Sequence, residues 1–436
     1  MKNRLTNFAY DEGAQWSDPS MKNYNIDELA GAIRRHPAPI VLFGAGRYGK
    51  LAHFACLQLG LPATVFCDSD PRKHGTMFCG LEVISPEALA ALGPNCHVFI
   101  SCNYIAPVVF AVNALNFPNL YNCNDLFRAT DFTDSDLDMS KAQIAVLVER
   151  HRAAAGILDA PTDTRLVIRG MDIMVTEACS MKCKDCSNLM QYYTAPKNGD
   201  PDVLLAAFDK MAQSVDHFLE VRLLGGEPFL NKRIHEIVDR LVAYPNVEKI
   251  AIFTNATIVP KNQNLTSLIH PKVYLDITHY GVLSRNHDKL IEALDANGIA
   301  YNTHVPQTWT DSAKIVYKER TEAQLTEMFA RCCVNDVLTL LNGTLYRCPF
   351  SANAMNLEAV PRVASDFINL LDESKDIAAT RAGIRDLYTA RNYISTCSYC
   401  NGRDFSVATV EAGVQTKTVL PLPQRFAPEI AWRPNG

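Results

Sequence analysis

Residues 166–186 read LVIRGMDIMVTEACSMKCKDC, an apolar strand running into three cysteines, Cys179, Cys183 and Cys186, spaced x3 and x2. The segment is short enough for three thiolates to wrap one cubane cluster, and it leaves the fourth iron without a protein ligand. A structural zinc ion asks for four ligands, and no histidine or fourth cysteine stands near enough in sequence to close the site. A zinc knuckle completed from far along the chain is the alternative. An open coordination position is what a centre that binds its substrate directly needs.

Outward from this stretch, EVRLLGG, KIAIFTN, KVYLDIT and IAYNTHV are further strand candidates, separated by segments long enough for helices. That alternation is a βα series. One helix is marked by Leu204, Phe208, Met211, Val215 and Phe218 at spacings of three and four, and its stripe is read as core packing. In VRLLGGEPFL, Gly225 and Gly226 stand at a strand end, where missing side chains let backbone approach a ligand, and Glu227 and Pro228 shape the turn. The cysteine nest and this turn together resemble the radical S-adenosylmethionine (SAM) superfamily, over about residues 165–325.

The resemblance implies that Cys179, Cys183 and Cys186 hold a 4Fe-4S cluster whose free iron chelates the amino and carboxylate groups of S-adenosylmethionine. It assigns Gly225, Gly226, Glu227 and Pro228 to SAM and implies an α/β fold, a partial (β/α)6 TIM-like barrel open on one side. The implied chemistry is one-electron cleavage of SAM to a 5′-deoxyadenosyl radical that takes hydrogen from unactivated carbon. An electron donor such as flavodoxin or ferredoxin goes with it. One departure is Asp185, where the family usually has an aromatic residue. Asn255 in FTNAT and Thr278 in LDITHYG fit places where the family contacts SAM; each equally suits a polar residue that satisfies a strand end. His279, Tyr280, His304 and Trp309 lie near expected strand ends, where substrate sits in a βα barrel, and a structural role is the alternative for each.

After about residue 325 the pattern changes to LTLLNGTLYRCPF, two apolar runs around Asn342-Gly343, a strong hairpin signal. Cys333-x9-Gly343-x4-Cys348 spans the hairpin, and Cys397-x2-Cys400 follows. Four thiolates suffice for one closed site. Bringing Cys348 and Cys397 together costs about 3.4 kcal/mol by the logarithmic chain term, whereas a tetrathiolate metal returns on the order of 10 kcal/mol. A zinc ribbon satisfies the same arithmetic. The pattern resembles the twitch domain, a shortened form of the SPASM extension, which implies a small α+β domain over 326–436 holding one auxiliary 4Fe-4S cluster. Cys332 either replaces Cys333 as a ligand, stands free beside the active site as a hydrogen-atom donor, or is a packed thiol.

Toward the other end, IVLFGAG leads into Gly44, Gly46 and Gly49 at the start of an expected helix, and Asp68 ends the next strand, where a ribose-binding carboxylate would stand. With the further apolar run HVFISC, residues 38–130 read as a small Rossmann-like parallel-sheet domain, after an extension over 1–37 and before a connector over 131–164. GTMFCGLEVISPEAL resembles the short Rossmann units attached to sugar-modifying transferases and methyltransferases. Such units bind a nucleotide or nucleotide-sugar, or simply hold partners. Cys56, Cys67, Cys79, Cys96, Cys102 and Cys123 lie singly here, mostly among apolar neighbours, and are expected to be packed thiols. The proline-rich residues 420–436 are expected to lie extended on the surface.

The whole chain has 436 residues, 48% of them hydrophobic, and a formal charge of −5 with mixed signs. No basic face is available for nucleic acid or anionic lipid. The first residues lack an apolar run of signal-peptide length, and no run approaches a membrane span, so a cytoplasmic protein without a membrane partner is expected. LSRNHDKLIEALDANGIAYNTH and LYRCPFSANA resemble radical SAM proteins of surface-glycan type, which implies a carbohydrate or nucleotide-linked small-molecule substrate. Oxidation is expected if the second cluster takes an electron, and epimerisation if Cys332 returns a hydrogen. The alternatives are a peptide- or protein-modifying enzyme, for which the Rossmann-like N-terminus does not resemble a leader-binding domain, and a zinc-stabilised binding protein without radical chemistry.

Overall fold

The computed structural model describes residues 24–102, 117, 119–132, 137, 139, 141–156, 165–390, 392–404 and 407–423. It divides into two compact units, 1–163 and 164–436.

The first unit is a six-stranded sheet. Its strands are β1 (Ile40–Phe43), β2 (Val65–Cys67), β3 (Met77–Phe78), β4 (Leu81–Ile84), β5 (His97–Ile100) and β6 (Leu120–Asn122), in the order β3-β4-β2-β1-β5-β6. All neighbours pair in parallel except β3 with β4. The unbroken apolar runs follow from burial on both faces. Ile40, Leu42, Phe66 and Phe99 enter one apolar cluster, while Val41, Phe43, Val65 and Ile100 enter the other. The helix Ile26–Arg35, from the stretch expected to be an extension, buries Ile26, Leu29, Ala30 and Ile33 in the first of these clusters. So does the helix Lys141–Gly156 of the expected connector, through Ile144 and Leu147. Cys56, Cys67, Cys96 and Cys123 are buried, and Cys79 and Cys102 are half-buried.

The second unit contains β7 (Val167–Thr176), β8 (His217–Gly225), β9 (Val247–Thr254), β10 (Val273–Thr278), β11 (Ala300–His304), β12 (Thr308–Thr310), β13 (Val337–Leu341), β14 (Thr344–Tyr346), β15 (Phe367–Asn369) and β16 (Thr409–Glu411). Eight strands form one sheet in the order β11-β10-β9-β8-β7-β13-β14-β15, and β12 pairs with β16 apart from it. The five expected βα strands are β7 to β11, all parallel, as in an open partial barrel. The Asn342-Gly343 hairpin is formed by β13 and β14, and β13 adds to the free edge of β7 in parallel. The stretch after residue 326 therefore shares its sheet with the stretch before it. Leu204, Phe208 and Met211 are fully buried on the helix Pro201–Ser214, which Asp200 caps through the Asp202 amide. Each such side chain contributes about 1.5–3 kcal/mol on burial. Among the described residues no helix is long and apolar enough to cross a membrane.

Candidate functional site

Strand β7 delivers Thr176 to the point where the cysteine loop begins, and β8 delivers Gly225 beside it. The two glycines of the turn press against that loop. A Cβ on Gly225, which has φ +136, would lie 2.1 Å from Thr176 O, and one on Gly226 would lie 1.9 Å from Ala178 O. In place of those contacts, Gly226 N donates to Thr176 O (3.0 Å) and Glu227 N to Ala178 O (2.9 Å). Glu227 is wholly buried, and its carboxylate accepts from Thr254 Oγ1 (2.8 Å), Asn255 N (2.9 Å) and Phe229 N (3.3 Å). Burial pushes this carboxyl up to about 7, against those hydrogen bonds. The turn thus fastens the ends of β8 and β9 to the cysteine loop.

The three thiols are half-buried. Burial pushes Cys179 up to about 12 and Cys183 to about 11, with Cys186 adding to the rise of both. Such thiols become thiolates when a cation binds them. Two side-chain amides already point at sulfur: Asn255 Nδ2 at Cys179 Sγ (3.6 Å) and Gln415 Nε2 at Cys183 Sγ (3.1 Å). Donors of this kind support metal-bound sulfur. Gln415 lies beyond the last strand, in a C-terminal segment that sequence reasoning missed. Cys183 and Gln415 form an antiparallel bridge, Lys184 N donates to Val414 O, and Thr416 N donates to Lys182 O, both at 2.7 Å. Nothing in the composition of residues 412–416 signals this role.

The ends of β10 and β11 carry the remaining candidates. Tyr280 lies near all three thiols, which together with burial raise its phenol above the usual range, and it meets Trp309 edge-on with ring centres 5.8 Å apart. A Cβ on Gly413 would touch its ring at 2.9 Å. His279 stacks on His287 at 4.0 Å, an histidine that sequence reasoning passed over. His304 Nε2 lies 3.4 Å from Thr278 Oγ1, and its Nδ1 lies 3.3 Å from Oδ1 of the buried Asp276.

Cys332, Cys348, Cys397 and Cys400 line one small apolar cavity of about 30 Å³, together with Phe329 and Arg403. Cys333 does not line it and is exposed. Among the described residues no three Cys, His, Asp or Glu side chains converge tightly enough for a single metal ion. The four thiols Cys332, Cys348, Cys397 and Cys400 share the wall of one cavity, and soft sulfur donors grouped in this way suit an iron–sulfur cluster.

Residues 173–282 match the family model described as the Radical SAM superfamily. The chain carries a radical SAM domain. Within it, the cysteine loop, the glycine turn and Asn255 are joined by the contacts above. Among curated proteins, the GTP 3′,8-cyclase of Stenotrophomonas maltophilia (strain K279a) is 37% identical over 94 residues, which are 20% of this chain and 27% of that protein. The GTP 3′,8-cyclase of Syntrophomonas wolfei is 25% identical over 175 residues, 35% of this chain and 51% of that protein. The chain thus spans about a quarter to a half of these relatives. Among solved structures, it is similar to BtrN in complex with AdoMet and 2-DOIA, with 15% identity, a TM-score of 0.36, and coverage of 59% of this chain and 100% of that one. Native anSMEcpe with bound AdoMet and Cp18Cys peptide gives 11%, 0.36, 58% and 92%.

Ahead of the radical SAM domain, the first unit builds its glycine loop at the end of β1. A Cβ on Gly44 would lie 2.5 Å from Ser101 O and one on Gly49 2.0 Å from Gly44 O, whereas Gly46 faces open space at the start of the helix Arg47–Gln58. Asp68 is buried and engaged: it accepts from Ala45 N, Asp70 N and Lys73 Nζ, each at 2.8 Å. Its carboxylate braces the loop from within. Of the tail, Leu420 donates through its amide to Gln191 O (2.8 Å), and residues 424–436 lie outside the described residues.

Proposed function

We propose that the chain is a radical SAM enzyme that oxidises a carbohydrate or nucleotide-linked small molecule by first removing a hydrogen atom from it. The observation that carries this reading is the presence, in one compact unit, of an open three-thiol loop and a separate cavity lined by four thiols. Cys179, Cys183 and Cys186 would hold a 4Fe-4S cluster, with SAM against Gly225, Gly226, Glu227, Pro228, Asn255 and Thr278. Bound there, the pair supplies reductive cleavage of SAM and hydrogen abstraction from carbon, using an electron from a flavodoxin- or ferredoxin-type donor. Tyr280 and Trp309 give that mouth an apolar wall that keeps water from a reactive centre.

Oxidising an alcohol removes a hydrogen atom, a proton and an electron. We assign the proton to His304, whose Nδ1 lies 3.3 Å from the buried Asp276 carboxylate and whose Nε2 lies 3.4 Å from Thr278 Oγ1 at the end of β10. Cys332, Cys348, Cys397 and Cys400 are the set we assign to a second cluster able to take the electron. Including Cys332 uses the thiol that an epimerase would need as its hydrogen donor, so oxidation is favoured. The test is 5′-deoxyadenosine formation by the reduced enzyme with SAM and candidate nucleotide sugars. Stimulation by a sugar, with matched oxidised product, supports the reading; stimulation by peptides and by no sugar overturns its substrate class.

A further inference from the structure

The second cysteine set ends in Cys400-Asn401-Gly402-Arg403. Gly402 adopts φ +84 and turns the chain at a place where a Cβ would already meet Met328 Cγ at 3.0 Å. The turn sends Arg403 to the wall of the cavity lined by Cys332, Cys348, Cys397 and Cys400. Its Nη2 donates to Ser187 O at 2.6 Å, one residue beyond Cys186 of the first set. Its own carbonyl accepts from Cys333 N at 3.1 Å, which holds the cysteine pair against it. The carboxylate of the next residue, Asp404, pairs with Arg331 at 3.0 Å.

Two polar side chains on the cavity wall keep a buried atom without a hydrogen-bond partner among the described residues, Thr396 through Oγ1 and Arg403 through Nε; Arg347 Nε is a third such atom, but Arg347 does not line the cavity. A cationic donor away from water is unfavourable unless an anion faces it; the buried Asp172 carboxylate, paired with Arg222 at 2.5 Å, is near enough to interact with Arg403, and the groups lining the cavity itself that become anionic are its thiols. Four thiolates around a 4Fe-4S core leave net negative charge, which a fixed guanidinium would compensate. Hydrogen bonds and positive charge near such a cluster favour its reduced, more negative state and so raise its potential.

We propose that Arg403 is the built-in counter-charge of the second cluster, aimed at it through Nε while Nη2 ties it to the backbone just after the first cysteine set. Arg403 is thus a positioning residue rather than a catalytic one, and the inference rests on the reading that the four-thiol cavity holds a cluster. It is tested in the full-length chain with Cys179, Cys183 and Cys186 all changed to Ala, so that the second set is read alone. Iron content and an EPR-monitored redox titration are compared with Arg403 intact, Arg403→Lys and Arg403→Met. About four iron atoms per chain are expected with Arg403 intact. The midpoint potential should fall in Arg403→Met and lie between in Arg403→Lys. Retention of iron by Lys but not by Met would equally support a need for charge. Unchanged potential in Arg403→Met overturns the inference, and so does loss of iron from both variants, which would make the role one of shape. Zinc or no iron with Arg403 intact overturns the underlying cluster reading instead.

Discussion

Glu227 has no exposed surface, and both its oxygens accept hydrogen bonds, from the end of β9 and from the turn it opens. Glu227→Leu leaves those buried donors unpaired, at a cost of about 1–3 kcal/mol for each group stranded. A lowered urea midpoint checks this, and an unchanged one contradicts it. Gly226→Ala drives a Cβ into Ala178 O, so the cysteine loop must shift; iron retained after anaerobic purification should fall sharply. In the first unit, His151 is fully buried and its Nε2 accepts from Cys123 N at 3.0 Å, which requires the neutral ring. Burial lowers its pKa from 6.5 to about 4. The unfolded chain therefore binds this proton first, and stability that is complete above pH 6.5 is lost as pH falls toward 4, by about 3 kcal/mol. Thermal melts of His151→Phe should lack this pH dependence. Cys179, Cys183 and Cys186 were legible because their spacing is local. Gln415 was not, because it meets Cys183 across more than half of the second unit; Arg403, although only three residues after Cys400, was not, because a guanidinium carries no spacing signal.

At the scale of elements, β7 to β11 were legible as apolar runs because parallel strands covered on both faces cannot alternate with polar residues. The β13–β14 hairpin was legible in Asn342-Gly343, where Asn342 and Gly343 both take positive φ. Its docking beside β7 was not, since the register Val337 to Gly170 joins strands far apart in sequence, each with the same apolar pattern as its neighbours. The Gln415 segment is the element whose role is most open to test. It covers the cysteine loop through main-chain bonds to Lys182 and Lys184 and through the amide on Cys183. Gln415→Ala should release iron to a chelator about tenfold faster or more, by analogy with lost support around metal ligands. An unchanged rate would show that the main-chain bridge suffices.

At the scale of the molecule, the two units each have their own apolar core. Both thiol sets belong to the second, so residues 164–436 alone should load as much iron as the full chain. The Rossmann-like pattern of the first unit was legible in its glycines, whereas the hydrogen bonds that Asp68 accepts from Ala45 N, Asp70 N and Lys73 Nζ are not revealed by sequence spacing. On the proposed reading, the second unit generates a radical with one cluster and holds a second that takes the electron from the oxidised substrate. Iron, sulfide and zinc analysis of the anaerobically purified chain, followed by reduction with SAM and assay of 5′-deoxyadenosine, tests it most directly. The account predicts about eight iron atoms with matching sulfide and 5′-deoxyadenosine that disappears when Cys179, Cys183 and Cys186 are changed to Ala. Stoichiometric zinc without iron, and no 5′-deoxyadenosine, would contradict it.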